Sequence, residues 1–378
     1  MSECTFSPSV CHVDLGALRR NFARLGEPAA LMPVIKSDAY GHGLVPVARA
    51  LAEAGARRFA VGTAAEGMAL REAGLRQKIV VLLGALDDVD WQGAAAQDLI
   101  PVVGSFAALD KASAHCHAGR TLHVAVKCET GMGRLGFTQE ELPQAVERLR
   151  NIQGIAPVMA LSHLSCADTP GQEDYTRGQM KRFAAMTATL GDAFPGMERS
   201  LANSAATIAW PEAHYDVCRP GIALYGGNPF AGTAWEDKGA ALGLEWAMSV
   251  SAPVIQVRRL EAGRSVSYGR LFTAEQPTAV AVVGIGYATG FARALSTRAA
   301  LCINGRRVSQ VGRVCMGMIM ADVTDLPQVR EGDTAWLVGG PTQPGQQPVT
   351  VQDLADTLGT ISYEVLCLLG ATNPRLYV

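Results

Sequence analysis

A lysine stands at the end of an apolar run near the amino end of the chain. Residues 31–35, "LMPVI", have the composition of a buried strand, and Lys36 follows directly, ahead of the stretch "SDAYGHG". A lysine amine removed from water has a lowered pKa and becomes a nucleophile that forms Schiff bases with carbonyl compounds. The alternative is a lysine whose stem follows the apolar surface to solvent. We favour the nucleophile, because the following loop holds Tyr40, His42 and glycines that permit close backbone approach.

Two further stretches have the residue types of a phosphate site. "LANSAATIAWP" puts Asn203 or Ser204 at the start of a helix, and "RPGIALYG" puts Gly221 at a second tight start. Such starts expose backbone amides without a partner inside the helix, and these amides suit a phosphate dianion. A plain helix cap is the alternative for Ser204. Arg219 lies just before the second start, where a structural salt bridge is the alternative to a ligand contact.

Composition limits the class of protein. The 378 residues suffice for two domains, and 48% of them are hydrophobic. The net charge is −2, with acidic and basic residues interspersed along the chain. This balance favours a small ligand over nucleic acid or a membrane surface. The nine cysteines are scattered without a C-x-x-C pair, which argues against disulfides and against a bound metal. With no apolar stretch near about 18 residues and no signal-like start, the sequence predicts a cytoplasmic protein.

Short apolar runs alternate with helical patterns up to about residue 225. Examples are "LMPVIK" before "LVPVARALAEAG", "RFAVGT" before "AAEGMALREAG", and "TLHVAVK" before "TQEELPQAVERLRNI". Apolar runs joined by helices indicate parallel strands that are buried on both faces. About eight such units predict an α/β fold with a (β/α)8 barrel rather than an open doubly wound sheet. In a barrel, functional residues gather at the carboxyl ends of strands, where Lys36 is expected.

The pattern changes beyond about residue 240. β-branched runs such as "PTAVAVVGIGY" and "ALCINGRRVSQVGRVCMGMIMADVT" are separated by glycine or Asn-Gly turns, and only two segments near the end have helical patterns. The sequence therefore predicts a barrel domain over 1–240 and a mainly antiparallel β domain over 241–378.

Motifs along the whole chain resemble the alanine racemase family in their order. "PVIKSDAYGHG" is similar to the motif by which that family attaches pyridoxal 5'-phosphate. The other matching motifs are "VKCETGMGRLGF", "LSHLSCAD", "LANSAATIAWP", "CRPGIALYG", "SVSYGR", "IGYATGFAR", "VGRVCMGMIMADV" and "GTISYEVL". The resemblance implies pyridoxal phosphate as cofactor, a small amino acid as substrate, and a barrel followed by a β domain.

The resemblance also implies two catalytic groups. Lys36 carries the cofactor as a Schiff base and serves one face of the substrate Cα, Tyr268 serves the other face, and His163 polarises the tyrosine. Two groups are needed because a single one on one face tends to return the proton where it found it. In the family the tyrosine comes from the partner subunit, which implies a homodimer with shared active sites. Taken alone, Tyr268 reads as a strand aromatic and His163 as a core histidine.

Other matched positions imply contacts to cofactor and substrate. The implied phosphate contacts are Tyr40, Ser204, Gly221, Ile222 and Tyr363, and His163 and Asn203 are further cofactor-binding positions. Arg219 faces the pyridine nitrogen. An arginine there donates a hydrogen bond without giving up its proton, which weakens the ring as an electron sink and disfavours transamination. Arg134 and Met316 contact the substrate, and Lys127 is carbamylated in many relatives to hold Arg134. The substrate corridor is formed by Asp168, Tyr287, Arg293 and Arg313, all of which also read as solvated rim residues.

Some positions depart from the family pattern. Glu129 replaces an aspartate, which weakens the expectation of a carbamate on Lys127, and Thr289 and Thr372 replace an aspartate and an arginine. Gly317, after Met316, also replaces an aspartate and thereby removes volume and charge from the substrate pocket. The predicted reaction is the interconversion of L-alanine and D-alanine, with D-alanine supplied for peptidoglycan. The alternatives are a racemase with another or broader amino-acid range such as serine, a decarboxylase, and a pyridoxal-phosphate carrier without turnover.

Overall fold

The computed structural model describes residues 7–116 and 121–378. These residues form two compact units. The barrel unit consists of Leu18–Ala39 and Leu44–Glu245, and the β unit consists of 7–17, Tyr40–Gly43 and Trp246–Val378. The predicted boundary between residues 240 and 241 stays a prediction.

Strands and helices alternate in the first half of the chain, and strands predominate in the second. The strands are β1 Val10–Val13, β2 Arg58–Val61, β3 Lys78–Val81, β4 Leu99–Val103, β5 Leu122–Lys127, β6 Ile155–Leu161, β7 Glu198–Ser200, β8 Met248–Leu260, β9 Ser265–Val266, β10 Phe272–Thr273, β11 Thr278–Val283, β12 Ala300–Ile303, β13 Arg306–Val311, β14 Ile319–Asp322, β15 Thr334–Val338 and β16 Arg375–Tyr377. The helices are α1 Leu15–Leu25, α2 Lys36–Tyr40, α3 Leu44–Glu53, α4 Ala64–Glu72, α5 Asp88–Ala96, α6 Phe106–Ala114, α7 Leu142–Asn151, α8 Glu173–Ala193, α9 Ser204–Ala209, α10 Glu236–Ala240, α11 Val351–Leu358 and α12 Ser362–Thr372.

The barrel unit closes around eight parallel segments. Strands β2 to β7 pair in sequence order. The chain before Lys36 joins β2 through the Val34–Ala60 bridge and reaches the last segment through the Leu31–Cys218 bridge. The amide of Arg219 donates to the carbonyl of Ala202 at 2.8 Å and so ties that last segment to the stretch after β7. The predicted (β/α)8 barrel is confirmed, although its first and last members are single bridges rather than regular strands.

The barrel strands are apolar because helices cover them on the outside. All of β4 is buried, and in β2 and β3 only the first residue is not buried. Helix α4 begins with a capping box in which the Thr63 hydroxyl and the Glu66 carboxylate each accept a backbone amide of the other residue. The period-3.6 pattern of the sequence is therefore found on helices that flank a parallel sheet.

The β unit is built on one eight-stranded sheet with the order β11-β14-β13-β12-β15-β8-β1-β16. All pairings are antiparallel except that of β1 with β16. Asn304 and Gly305 have φ of 50° and 76° between β12 and β13, which confirms the predicted Asn-Gly hairpin. Strand β1 was expected in the barrel domain, but it pairs with β8 and β16 and lies in this sheet.

Two properties of the described residues bear on the environment of the protein. Every cysteine among them is a free thiol. In the same part of the chain no single helix is long and apolar enough to cross a membrane. Only α11 and α12 taken together reach that length, and they are bent by 110°.

Candidate active site

Lys36 begins a left-handed turn at the carboxyl end of the first barrel segment. Ser37, Asp38, Ala39 and Tyr40 all have φ of 54° to 55°. A left-handed residue other than glycine costs about 1–2 kcal/mol, and runs of them are rare. Hydrogen bonds hold this run: the amide of Ala39 donates to Ile35 at 2.9 Å, and the Asp38 carboxylate accepts the amide of Leu44 at 2.7 Å. Backbone strain of this kind concentrates at functional sites.

Lys36 is exposed in the described chain, which corrects the expectation of a desolvated amine. The burial expected of Lys36 is found instead at Lys127, which ends β5 and is partly buried. Burial, together with the charges of Arg219 and Arg134, lowers the pKa of Lys127 to about 7. Both lysines lie at the carboxyl ends of barrel strands. Their position in the sequence therefore did not show which of the two amines is exposed and which is partly buried.

Arg219 is a buried cation held by neutral oxygens. Its guanidinium donates to the Ser200 hydroxyl at 2.6 Å, to the carbonyl of Ser162, and to the carbonyl of Leu201 at 3.4 Å. Burial lowers its pKa to about 10, so it remains charged at neutral pH. Among the residues that the structure describes, no acidic side chain forms a salt bridge with it, which removes the structural ion pair as an explanation.

His163 lies among the cations at the carboxyl ends of the barrel strands. Burial holds its pKa well below the usual value, and the charges of Arg219, Lys127, Arg134 and Lys36 act in the same direction. The imidazole is therefore neutral at pH 7. The structure thus brings the predicted residues of the barrel unit together in one positive region. Such a region suits an anionic ligand.

The two predicted phosphate-binding stretches also meet in the barrel unit. Asn203 is the N-cap of α9, since its side chain accepts the amide of Ala206 at 3.0 Å. Ser204 is buried, and its hydroxyl accepts the amide of Gly221 at 2.8 Å and that of Ala223 at 3.3 Å. Ile222 begins the short 3-10 helix that follows Gly221. One hydroxyl therefore joins the starts of both turns, and Ser204 is more than a plain helix cap.

Tyr40 and Tyr363 lie together in the β unit, with ring centroids 5.9 Å apart. Tyr40 is buried, and burial raises its pKa, as do its neighbours Tyr363 and Cys367. Gly41 follows with φ of +81°, and a Cβ on it would lie 2.7 Å from the carbonyl oxygen of Leu366. The glycine of this motif is therefore required by close contact with helix α12.

Tyr268 lies in a strained turn of the β unit and is 71% exposed. Ser267 before it has φ of 66° and ψ of −179°, a conformation almost confined to glycine. The Ser267 hydroxyl donates to the carbonyl of Arg313 at 2.7 Å and lies 3.4 Å from the Cys315 thiol. The turn presents the phenol outward on a fixed backbone rather than packing it as a strand aromatic.

The loop that carries Met316 lies near this turn and contacts the loop that carries Tyr287. The amide of Tyr287 donates to Cys315 at 3.1 Å, and that of Ala288 donates to Met316 at 3.0 Å. The Arg313 guanidinium lies 3.4 Å from the position of a Cβ on Gly269. Tyr268, Tyr287, Arg313 and Met316 are thus gathered in the β unit. Arg293 is an exposed residue of the same unit, and Asp168 is a partly buried residue of the barrel unit.

Arg134 is exposed in the loop that follows β5. Glu129 organises this loop, because its carboxylate accepts the amide of Gly131 and, at 3.3 Å, the amide of Arg134. Burial alone would raise the pKa of Glu129, but the backbone amides of residues 131–134 together lower it. The glutamate that departs from the family pattern is therefore accounted for by loop structure.

Sequence reasoning missed Gln179, a fully buried residue of α8. Its amide nitrogen donates to the carbonyl of His163 at 3.1 Å, and its oxygen accepts the amide of Ser165 at 3.0 Å. A buried glutamine in an amphipathic helix was the available signal, because such a group needs polar partners. Gln179 fixes the loop on which His163 lies.

Comparisons with known proteins agree along the whole chain. Residues 13–229 match the family model "Alanine racemase, N-terminal domain", and residues 247–377 match "Alanine racemase, C-terminal domain". The alanine racemase of Nitratidesulfovibrio vulgaris (strain Miyazaki F) is 50% identical over 97% of this chain and 96% of its own length. That of Lawsonia intracellularis is 38% identical over 97% of both chains.

Solved structures give the same result. The alanine racemase from Streptomyces lavendulae, a producer of D-cycloserine, has a TM-score of 0.91 and 33% identity, covering 99% of this chain and 98% of its own. The biosynthetic alanine racemase from Pseudomonas aeruginosa has a TM-score of 0.86 and 34% identity, covering 99% of this chain and 100% of its own. The family models and the relatives match both units, with sequence identities of up to 50% over nearly the whole chain. The chain therefore belongs to the alanine racemase family.

Proposed function

We propose that this protein interconverts L-alanine and D-alanine with pyridoxal 5'-phosphate. The observation that supports this most is the positive region in which Lys36, Lys127, Arg134 and Arg219 surround a neutral His163. An amino acid and a phosphorylated cofactor both bring negative charge, which such a region binds. A chiral assay of the purified protein tests the reaction: each enantiomer of alanine loses its optical rotation and gains solvent deuterium at Cα.

The residues of the barrel unit fit pyridoxal phosphate. The Ser204 hydroxyl and the amide of Ile222 would hold the phosphate. Gly221 would hold that hydroxyl through its amide at 2.8 Å, and Asn203 would hold the start of α9 in place. Arg219, buried and without an acidic partner among the residues that the structure describes, would donate to the pyridine nitrogen. Lys36 would bind the aldehyde carbon through its amine. On the family resemblance we also assign Tyr40 and Tyr363, which lie in the β unit, as phosphate contacts. When bound, the cofactor withdraws electrons from the substrate Cα and so acidifies its proton.

The protein's own part is to hold and move protons at Cα. Lys36 takes the proton on one face through Nζ, and Tyr268 gives or takes it on the other face through its phenol oxygen. His163 is neutral at pH 7 and so can accept a hydrogen bond from the phenol and increase its basicity. Arg219 keeps its proton, which leaves the ring nitrogen uncharged and restricts side reactions.

The second catalytic group is proposed to come from another copy of the chain. Tyr268 is 71% exposed, and Met316, Met318 and Tyr287 add exposed large side chains to the same unit. A surface of this kind fits a protein interface better than open solvent. We infer a homodimer in which each site combines Lys36 of one protomer with the partner subunit's Tyr268.

Mixing two inactive variants tests the shared site. Lys36→Ala and Tyr268→Phe homodimers are each inactive under this proposal, and a mixture re-equilibrated at equal amounts contains half heterodimers. Each heterodimer has one intact site, so about a quarter of the wild-type activity returns. If both groups come from the same chain, the mixture stays inactive. Native mass spectrometry, which resolves the heterodimer from both homodimers by mass, verifies that the subunits have exchanged.

A broader amino-acid range is the second candidate function. A Cβ added to Gly317 meets nothing within 4 Å, so the loop beside Met316 leaves open space. The chiral assay in deuterated solvent also excludes a carrier without turnover and a decarboxylase, because a carrier exchanges no Cα proton and a decarboxylase releases carbon dioxide.

We place the protein in the cytoplasm, where free thiols persist and D-alanine is available for peptidoglycan synthesis.

A further inference from the structure

Glu66 caps α4 and lies close to Lys36. Its carboxylate accepts three backbone amides. One oxygen accepts those of Gly62 at 2.7 Å and Thr63 at 3.2 Å, and the other accepts that of Asp38 at 3.1 Å. The first two bonds belong to the start of α4. The third reaches across to the left-handed turn that begins at Lys36.

The bond to Asp38 has a specific mechanical consequence. Asp38 is the second residue of a run of left-handed, non-glycine residues, a conformation that local preference disfavours. The Asp38 side chain is bonded to Leu44 at 2.7 Å, so the backbone amide and the side chain of one residue are held from two sides. A Cβ on Gly62 would lie 3.4 Å from the Cβ of Lys36 and 3.2 Å from the Glu66 carboxylate. The three groups are thus in close packing.

We propose that Glu66 is a positioning residue for the racemase reaction: its carboxylate holds the left-handed turn after Lys36 against the start of α4 and so fixes the direction of the lysine amine. The inference rests on the role proposed for Lys36. The backbone that Glu66 holds sets where the Lys36 side chain begins and which of its rotamers are allowed. A misplacement of about 1 Å at a reacting group is enough to lower a rate by about 100-fold.

Three variants separate positioning from helix capping. Glu66→Gln keeps the shape but loses the charge that strengthens all three bonds. Glu66→Asp keeps the charge and, being one methylene shorter, keeps the cap bonds to Gly62 and Thr63 but not the reach to Asp38. Thr63→Ala is the matched control, because it removes the hydroxyl that accepts the amide of Glu66 at 3.3 Å and leaves the carboxylate in place.

The readouts are kcat, the isotope effect and cofactor affinity. We expect Glu66→Gln and Glu66→Asp to lower kcat by about 10- to 100-fold, and Thr63→Ala to change it less than about twofold. The primary isotope effect with α-deuterated alanine rises for only one enantiomer, the one whose proton Lys36 removes, because Tyr268 is unaffected. The Kd of the apo-protein for pyridoxal phosphate also rises in both Glu66 variants. A purely structural role lowers the active fraction of all variants and leaves isotope effects unchanged.

The outcomes separate this proposal from the function on which it rests. A Glu66→Asp protein with wild-type kcat, Kd and isotope effects overturns the positioning role, while a dead Lys36→Ala still supports the reaction. Equal rises of the isotope effect for both enantiomers also overturn it. If Lys36→Ala racemises alanine, the proposed base itself is wrong. Should Glu66→Gln fail to fold, Glu66→Asp decides, since it keeps the helix cap.

Discussion

The Arg219 guanidinium donates to the Ser200 hydroxyl at 2.6 Å inside the barrel unit, without an acidic partner among the described residues. A buried cation held by neutral oxygens is costly unless a ligand or a function compensates it. Arg219 remains protonated because its pKa is lowered only to about 10. This relationship supports its proposed place opposite the ring nitrogen of the cofactor.

Replacing Arg219 tests that place. Arg219→Glu is expected to produce new long-wavelength absorbance during turnover and to increase pyruvate formation by transamination, because a carboxyl group beside the ring nitrogen stabilises its protonated form. Arg219→Lys is the control that keeps the charge. Both variants lose stability, since Ser200 and two carbonyls lose their partner. An unchanged spectrum in Arg219→Glu would remove the electronic role.

Tyr268 is expected to matter for chemistry and little for folding. Tyr268→Phe should lower kcat/KM by about 100- to 10,000-fold, the range for a lost general acid or base. The melting temperature should stay within about 1–2 °C, because the side chain is 71% exposed. Tyr377→Phe, at an exposed tyrosine outside the proposed site, is the control. If Tyr268→Phe lowers kcat/KM by less than about 100-fold, another group serves that face of Cα.

Lys127 is expected to react with carbon dioxide in a pH-dependent way. Its pKa near 7 leaves a large neutral fraction at pH 8, and the neutral amine is the form that reacts. Electron density of crystals grown at pH 8 with bicarbonate should show a carbamate on Nζ, and crystals at pH 6 should not. The exposed Lys78 serves as internal control in the same maps. A bare amine at pH 8 contradicts the expectation.

The same pKa shift has a consequence for stability. The folded pKa of Lys127 lies below the ordinary lysine value of 10.5, so between about pH 7 and 10.5 the unfolded chain binds more protons at this residue. The unmodified amine therefore makes folding more favourable as pH rises through that window. In carbon dioxide-free buffer, Lys127→Met should remove this part of the pH dependence, as measured by urea unfolding at pH 7 and pH 9.

Gly317 is expected to widen the substrate range. Because a Cβ there meets nothing within 4 Å, Gly317→Asp should fit and should lower kcat/KM for serine relative to alanine by about tenfold. Gly317→Ala adds only the Cβ and should change the ratio little. A wild-type protein that already accepts alanine alone would contradict the hypothesis.

The sequence by itself determined the architecture and the residue types of the site. Alternating apolar runs and helical patterns required a parallel barrel, because strands covered on both faces must be apolar throughout. The Asn-Gly pair at 304–305 specified its own hairpin through its preference for positive φ. The motif residues Lys36, Arg219 and Ser204 could be named from local sequence, since each lies next to a strand end or turn.

Tertiary structure alone decided how those residues are held. Local preference opposes four left-handed residues after Lys36, and contacts from Leu44 and Glu66 override it. The capping box of Thr63 and Glu66 joins residues three positions apart, whereas the bond from Asp38 to Glu66 joins residues 28 positions apart. Likewise, the local sequence of β1 is compatible with either sheet. Only its pairing with β8 and β16 shows that it belongs to the sheet of the β unit. Long-range hydrogen bonds carry this information, and no local pattern contains them.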